Sequence, residues 1–170
     1  MNTRVKIAGI EKESIVDGPG FRMTVFFQGC PHRCPGCHNP QTQGDNGGEF
    51  METNTILSFL KTNPMLSGIT LSGGEPLFQP QPASEIAKAV TAMGKNVIVY
   101  TGHTWEEVQE MMQKDPHVTE LIENTFLLID GRFIESLRSL NLSFRGSANQ
   151  RIIDVQKTLQ NNREIIIYDI

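Results

Sequence analysis

The feature that most constrains this chain is a repeated pairing of short β-forming runs with glycine or chemically reactive residues at their ends. Met23–Phe27 runs into Gly29-Cys30, Ile69–Leu71 into Gly73-Gly74-Glu75, and Asn96–Tyr100 into Thr101-Gly102. Phe126–Ile129 runs into Asp130-Gly131-Arg132, and Leu142–Phe144 into Arg145-Gly146. Helix-period segments lie between most of these runs. One starts near Thr53 and stops at Asn63-Pro64, with Ile56, Leu57 and Leu60 on one face. Another covers about Ala83 to Met93 and closes at Gly94. Thr104 and Glu107 form a capping-box pattern that opens a helix to about Lys114. Shorter helices are expected near Val118–Glu123 and Asp154–Gln160. Strands alternating with helices predict βαβ units and a parallel sheet, whose strands present the active site at their C-terminal ends. Alternation around Val5, Ile7 and Ile10 predicts a first edge strand, and Glu164–Tyr168 a closing one; Gln41–Gly48 reads as a mobile loop.

Length sets the size of that sheet. A complete eight-unit barrel takes about 250 residues, with about 200 as a practical minimum. With 170 residues, the expected fold is α/β: one domain over residues 1–170, built as an incomplete, open (β/α) barrel of about five or six units around a parallel sheet. The formal net charge is −4 and no Lys/Arg run stands out. Nucleic acid held through its phosphates is therefore not an expected partner. No stretch approaches the roughly 18 consecutive apolar residues of a membrane span. Met1-Asn2-Thr3-Arg4 leads into alternating residues, not an apolar signal core, so a cytoplasmic location is expected. On that expectation, the Asn141-Leu142-Ser143 glycosylation triplet is a chance match.

All three cysteines fall within eight residues, as Cys30-Pro31-His32-Arg33-Cys34-Pro35-Gly36-Cys37. An odd, crowded set is a poor disulfide framework and points to metal or redox chemistry. Zinc would want a fourth ligand, which His32 or His38 offers. A [4Fe–4S] cluster ordinarily takes four cysteines; with three, one iron keeps an open coordination position for a small molecule. Ser72-Gly73-Gly74-Glu75-Pro76 is the second motif. Its glycines allow a ligand to approach the backbone closely, and its acid suits an ammonium group. Alone, such a turn is common and reads first as a tight strand-to-helix turn; on the same sheet edge as the three cysteines it becomes informative.

Together the two motifs resemble the radical S-adenosylmethionine (SAM) enzymes. Asp17-Gly18-Pro19-Gly20-Phe21-Arg22 is similar to the glycyl-radical-enzyme activases among them. Tyr100-Thr101-Gly102, Asp130-Gly131-Arg132-Phe133, Arg145–Gln150 and the short length resemble the branch acting on anaerobic (class III) ribonucleoside-triphosphate reductase. The match covers about Ile15 to Arg151.

The resemblance implies one [4Fe–4S] cluster on Cys30, Cys34 and Cys37, with SAM bound at the open iron. SAM is then cleaved to a 5′-deoxyadenosyl radical that forms a glycyl radical on the large subunit of the reductase. A flavodoxin or ferredoxin would supply the electron. Gly73, Gly74 and Glu75 match the turn that receives the SAM amino group, and Gly36 and His38 flank the third cysteine near the adenine. Many superfamily members carry an aromatic residue where this chain has Gly36, which weakens the case for stacking from that position. Asp130 and Arg132 match an acid and a cation placed near SAM.

Among the other residues, His32 reads as structural or as a hydrogen-bond partner of the cluster, and His103 as a helix-entry residue. His117 reads as solvent-facing, Trp105 and Met111-Met112 as packing residues, and Arg145–Gln150 as part of the pocket or of the partner contact. Three rival readings follow: an activase of another glycyl radical enzyme such as pyruvate formate-lyase, a non-catalytic zinc-binding module, and a radical SAM enzyme making a small molecule.

Overall fold

Along β2 (Arg22–Phe27), Met23, Val25 and Phe27 alternate with Arg22, Thr24 and Phe26, and this two-residue period organises the whole sheet. The structure is a computed structural model describing residues 2–170. Its other strands are β1 (Arg4–Ser14), β3 (Glu49–Glu52), β4 (Gly68–Gly73), β5 (Asn96–Tyr100), β6 (Leu127–Asp130) and β7 (Arg151–Asp154). All seven form one sheet in the order β3-β1-β2-β4-β5-β6-β7. Five helices accompany them: α1 (Thr53–Lys61), α2 (Pro80–Ala92), α3 (Trp105–Lys114), α4 (Pro116–Glu123) and α5 (Val155–Gln160).

Register carries the pattern across strands. Val25, Leu71, Val99, Leu128 and Ile153 are successive partners. They join Ile56 and Leu60 of α1, Ile86 and Val90 of α2, and Val108 and Leu121 of α3 and α4 in the main core. Phe26, Ser72, Tyr100, Ile129 and Ile152 form the matching row on the other face. There Ile98, Leu127, Ile129 and Ile152 make a second buried cluster, against which Phe144 and Tyr168 pack. Toward β2 and β4 that face turns polar, with Arg22, Thr24 and Thr70 all buried.

The mixed α/β fold agrees with the sequence reading; the barrel needs correction. Only β2, β4, β5 and β6 run parallel, short of the five or six units expected. β1 is antiparallel to both β2 and β3, so it lies inside the sheet, and β3 forms the edge. β3 escapes a local reading because its alternation is mostly exposed; Phe50 instead carries the Arg4 guanidinium 4.6 Å from its ring centroid. At the other end β7 is antiparallel to β6. Leu142–Phe144 lies in a loop, with Phe144 at φ +58°. Glu164–Tyr168 makes one bridge, Ile167 to Ile153, not a strand. Gln41–Gly48 is tied down: Gln28 Nε2 donates to the Gln41 and Gly44 carbonyls at 3.1 and 2.7 Å. Trp105 packs as expected, buried with its indole donating to the Arg163 carbonyl at 3.0 Å. Among the described residues no helix is long and apolar enough to cross a membrane.

Candidate active site

The cysteine loop leaves the end of β2 and is held by backbone bonds. Gly29 and Cys30 amides donate to the Thr42 and Gln43 carbonyls at 2.6 and 3.2 Å, and the Cys37 amide to the Cys34 carbonyl at 3.2 Å. All three thiols are free and half-buried. Burial pushes the Cys30 thiol up, against the opposing pull of a hydrogen bond from the His32 backbone. Asn39 directs its amide at Cys37 Sγ, 3.4 Å away, the kind of contact that stabilises a sulfur carrying negative charge.

The next strand end comes alongside. Gly73 has φ +88°, and a Cβ there would lie 2.5 Å from the Phe27 amide nitrogen, so only glycine lets β4 end this close to β2. The three cysteines, Gly73, Gly74 and the β5 end at Thr101-Gly102 line one cavity of about 150 Å³. It opens into a groove of about 840 Å³ that shares Ser72, Tyr100 and His38 with it. Three free cysteines lining one cavity, with an amide aimed at one sulfur, fit an iron–sulfur cluster held by three protein ligands. His32 commits Nε2 to Glu75 at 2.7 Å, and the exposed His38 lies against Phe133 with ring centroids 5.1 Å apart.

The remaining expected residues divide. His38 lines the cavity and Gly36 does not; a Cβ at Gly36 would lie 3.0 Å from the Glu135 carboxyl carbon and 3.3 Å from Cε1 of Phe133. Phe133 thus puts an aromatic face beside the position where the chain has no side chain. Glu75 is fully buried and bonded within the protein, and it does not line the cavity. Asp130 and Arg132 are not brought to the cavity, which Gly131 between them lines instead. The Asp130 carboxylate accepts from the Trp105 amide at 2.8 Å, capping α3, and from Arg151 at 2.6 Å. Arg132 pairs with Glu107 at 3.0 Å. Arg132 and then His103 hold the Glu107 carboxyl down at about 2. This diverts Glu107 from the capping box: Thr104 Oγ1 accepts from the Glu107 amide at 3.2 Å, but the Glu107 side chain turns to His103 and Arg132.

Tyr100, Thr101, Phe133 and Gln150 complete the lining and were not singled out individually from sequence. Their signal lay in position, since each falls at or shortly after the C-terminal end of a strand, or just before β7. Gln150 braces the far wall, with Oε1 accepting from the Gly146 amide at 2.9 Å and Nε2 donating to the Gly131 carbonyl at 3.0 Å.

Comparison with known proteins places this geometry. Residues 16–153 match a family described as "4Fe-4S single cluster domain". The anaerobic ribonucleoside-triphosphate reductase-activating protein of Escherichia coli (strain K12) is 39% identical over 145 residues, 80% of this chain and 90% of the relative. The protein of the same name from Enterobacteria phage T4 is 32% identical over 144 residues, covering 81% and 86%. Pyruvate formate-lyase-activating enzyme of Clostridium pasteurianum is 37% identical over 114 residues, 64% of this chain but 48% of that longer protein.

Proposed function

The chain belongs to the family of anaerobic ribonucleoside-triphosphate reductase-activating proteins, radical SAM enzymes with an iron–sulfur cluster, and from that premise we propose that it cleaves SAM to install a glycyl radical on such a reductase. Held by Cys30, Cys34 and Cys37, the cluster would supply the single electron that splits SAM into methionine and a 5′-deoxyadenosyl radical, and that radical would take a hydrogen atom from the target glycine α-carbon. The protein's own contribution is positional. Cys30, Cys34 and Cys37 hold the cluster, and the Gly73-Gly74 backbone lets a ligand sit close beside it. Phe133 and His38 offer an aromatic wall to a base.

The observation that carries this reading is that the three free cysteines and Gly73-Gly74 line one cavity that shares His38, Asn39, Ser72, Tyr100 and Gly146 with a larger adjoining groove. A closed pocket would suit a free small molecule; an open groove suits an extended protein segment. Its rim presents Ile15, Val16 and Leu140 to solvent, with Glu11 and Glu13 on one wall and Arg138 and Arg145 on the other. The segment received there is the glycine-bearing loop of the reductase large subunit, and the electron comes from a flavodoxin or ferredoxin. The reductase is favoured over pyruvate formate-lyase because the reductase activators match at nearly full length.

The test is low-temperature electron paramagnetic resonance on anaerobically reconstituted, dithionite-reduced protein. A reduced [4Fe–4S] signal that changes shape on adding SAM is expected, and the signal should vanish in Cys30→Ala. Absence of that signal, with one equivalent of zinc bound instead, overturns the reading.

A further inference from the structure

Glu75 is the acid that follows the two glycines, and its surroundings are fully specified. Oε1 accepts from the Leu77 amide at 3.0 Å and the Thr101 hydroxyl at 2.9 Å. Oε2 accepts from the Gly102 amide at 2.8 Å and lies 2.7 Å from His32 Nε2. A carboxylate offers about four lone-pair positions, so these partners fill it. The side chain is 0% exposed, and it is Gly73 and Gly74, not Glu75, that line the cavity. The same saturation argues against a divalent ion on His32, Glu75 and His103, although their ligand atoms lie within 4.8 Å of one another.

What Glu75 touches is more telling than what it lacks. Thr101 and Gly102 directly follow β5, Leu77 belongs to its own turn after β4, and His32 lies between Cys30 and Cys34 in the loop after β2. The His32 ring sits so tightly on Gly102 that a Cβ there would strike it, and it meets the His103 ring edge-on at 4.6 Å and 76°. Around His32 the loop is otherwise exposed at Pro31 and Arg33, and Arg33 is held at φ +51°, in the left-handed region. Fixing His32 therefore fixes the loop midway between two cysteines.

We propose that Glu75 is a positioning residue: its carboxylate ties the cysteine loop, through His32, to the ends of β4 and β5, and it does not receive the amino group of the bound nucleoside. The second half of this statement rests on the proposed SAM-binding function; the first half does not.

Two measurements on the anaerobically reconstituted full-length chain test it. The first is the rate of tryptic cleavage after Arg33, normalised to cleavage after Lys61. Glu75→Gln puts an N–H where Oε2 meets donors, and His32→Phe keeps the ring but removes its bond. Each is expected to speed cleavage about tenfold, the equivalent of losing one charge-assisted hydrogen bond. The double variant should gain little more, because both changes break the same contact. Unchanged cleavage in both single variants overturns the positioning role.

The second measurement is the affinity of wild type and Glu75→Gln for S-adenosylhomocysteine and for its deaminated analogue. If Glu75 does not hold the ammonium, the fold-loss on removing that group is the same in both proteins within about twofold. If that loss disappears in Glu75→Gln, Glu75 is the ammonium acceptor and the proposal fails. Should Glu75→Gln fold poorly, His32→Phe alone decides the first arm. Should wild type bind neither nucleoside, the proposed function fails, and the cleavage rates still judge the positioning role.

Discussion

At the N-terminal ends of β2, β4 and β5 a buried cation gathers the chain; at the C-terminal ends of the same three strands a buried anion does. Arg22 spends all five N–H donors on neutral acceptors: Thr70 Oγ1 at 2.9 Å, Asn96 Oδ1 at 2.6 Å, and the Ile69, Asn96 and Pro19 carbonyls at 2.7, 3.2 and 3.2 Å. Burial lowers its pKa to about 10, which leaves it charged at neutral pH. Glu75 mirrors it with four donor residues at the opposite end. The difference lies in what each clamp grips. Four of the five acceptors at the lower end belong to β4 and β5, and the fifth, Pro19, belongs to the short loop that enters β2. The upper clamp reaches out of the sheet into the cysteine loop. One end thus holds the scaffold together, and the other passes the scaffold's rigidity to the site.

Substituting Arg22 should produce the largest effect on stability. Arg22→Met leaves three carbonyls and the Asn96 and Thr70 side chains without their donor in a dry interior, and should cost about 3 kcal/mol or more. The Thr70 hydroxyl also donates to the Asp17 carbonyl at 2.7 Å, so the Asp17–Gly20 loop loosens with it. The denaturation midpoint should drop with an unchanged slope. Iron content per folded molecule should stay at the wild-type level. Loss of iron from well-folded Arg22→Met would erase the distinction between the two clamps.

Thr101→Val probes the upper clamp more gently. Valine keeps the shape but removes the hydroxyl that donates to Glu75 and accepts from the His103 amide at 3.1 Å. A loss of about 1–2 kcal/mol is expected from one hydrogen bond to a buried charge. Unlike the lower-end variant, this one should also quicken tryptic cleavage after Arg33, though less than Glu75→Gln does. A stability loss with no change in the loop would mean that the upper clamp stabilises without positioning.

The two ends were not equally legible in the sequence. Cys30, Cys34 and Cys37, Gly73-Gly74 and the strand ends themselves could be read because each is a local pattern: a spacing, a glycine pair, a β-rich run. The parallel core β2-β4-β5-β6 followed from the same runs. What failed was non-local. Asp130 is an acid after a strand either way; only its neighbours, Arg151 on the unrecognised β7 and Trp105 at the head of α3, turn it from ligand contact to cap. Glu75 likewise looks like a ligand acid until His32 and Thr101 are brought to it from 43 and 26 residues away. Arg22 read as part of a motif, and nothing local announced that it would be buried without a carboxylate partner. β3 and β7 are four residues each; β3 exists because the longer β1 is there to pair with it, and β7 because β6, equally short, carries the sheet to it.

The upper clamp also continues outward, from His32 edge-on to His103, from His103 to Glu107 at 3.0 Å, and from Glu107 to Arg132. The outermost pair tests how far the upper clamp reaches. Glu107 is held at about 2, below the ordinary 4.5, so its contribution is fully present above that ordinary value and is lost as pH falls through about 2. Its side chain is 39% exposed, and an ion pair so placed is worth only about 0.2–1 kcal/mol. Glu107→Gln should therefore be slightly less stable than wild type at pH 6, and the gap should close between pH 4.5 and 2. Denaturant midpoints at pH 6, 4 and 3 measure it. Cleavage after Arg33 should be unchanged, because His32 keeps its bond to Glu75 whether or not Glu107 is charged. If Glu107→Gln speeds that cleavage as well, rigidity at the upper end is drawn from the surface pair and not from the buried carboxylate.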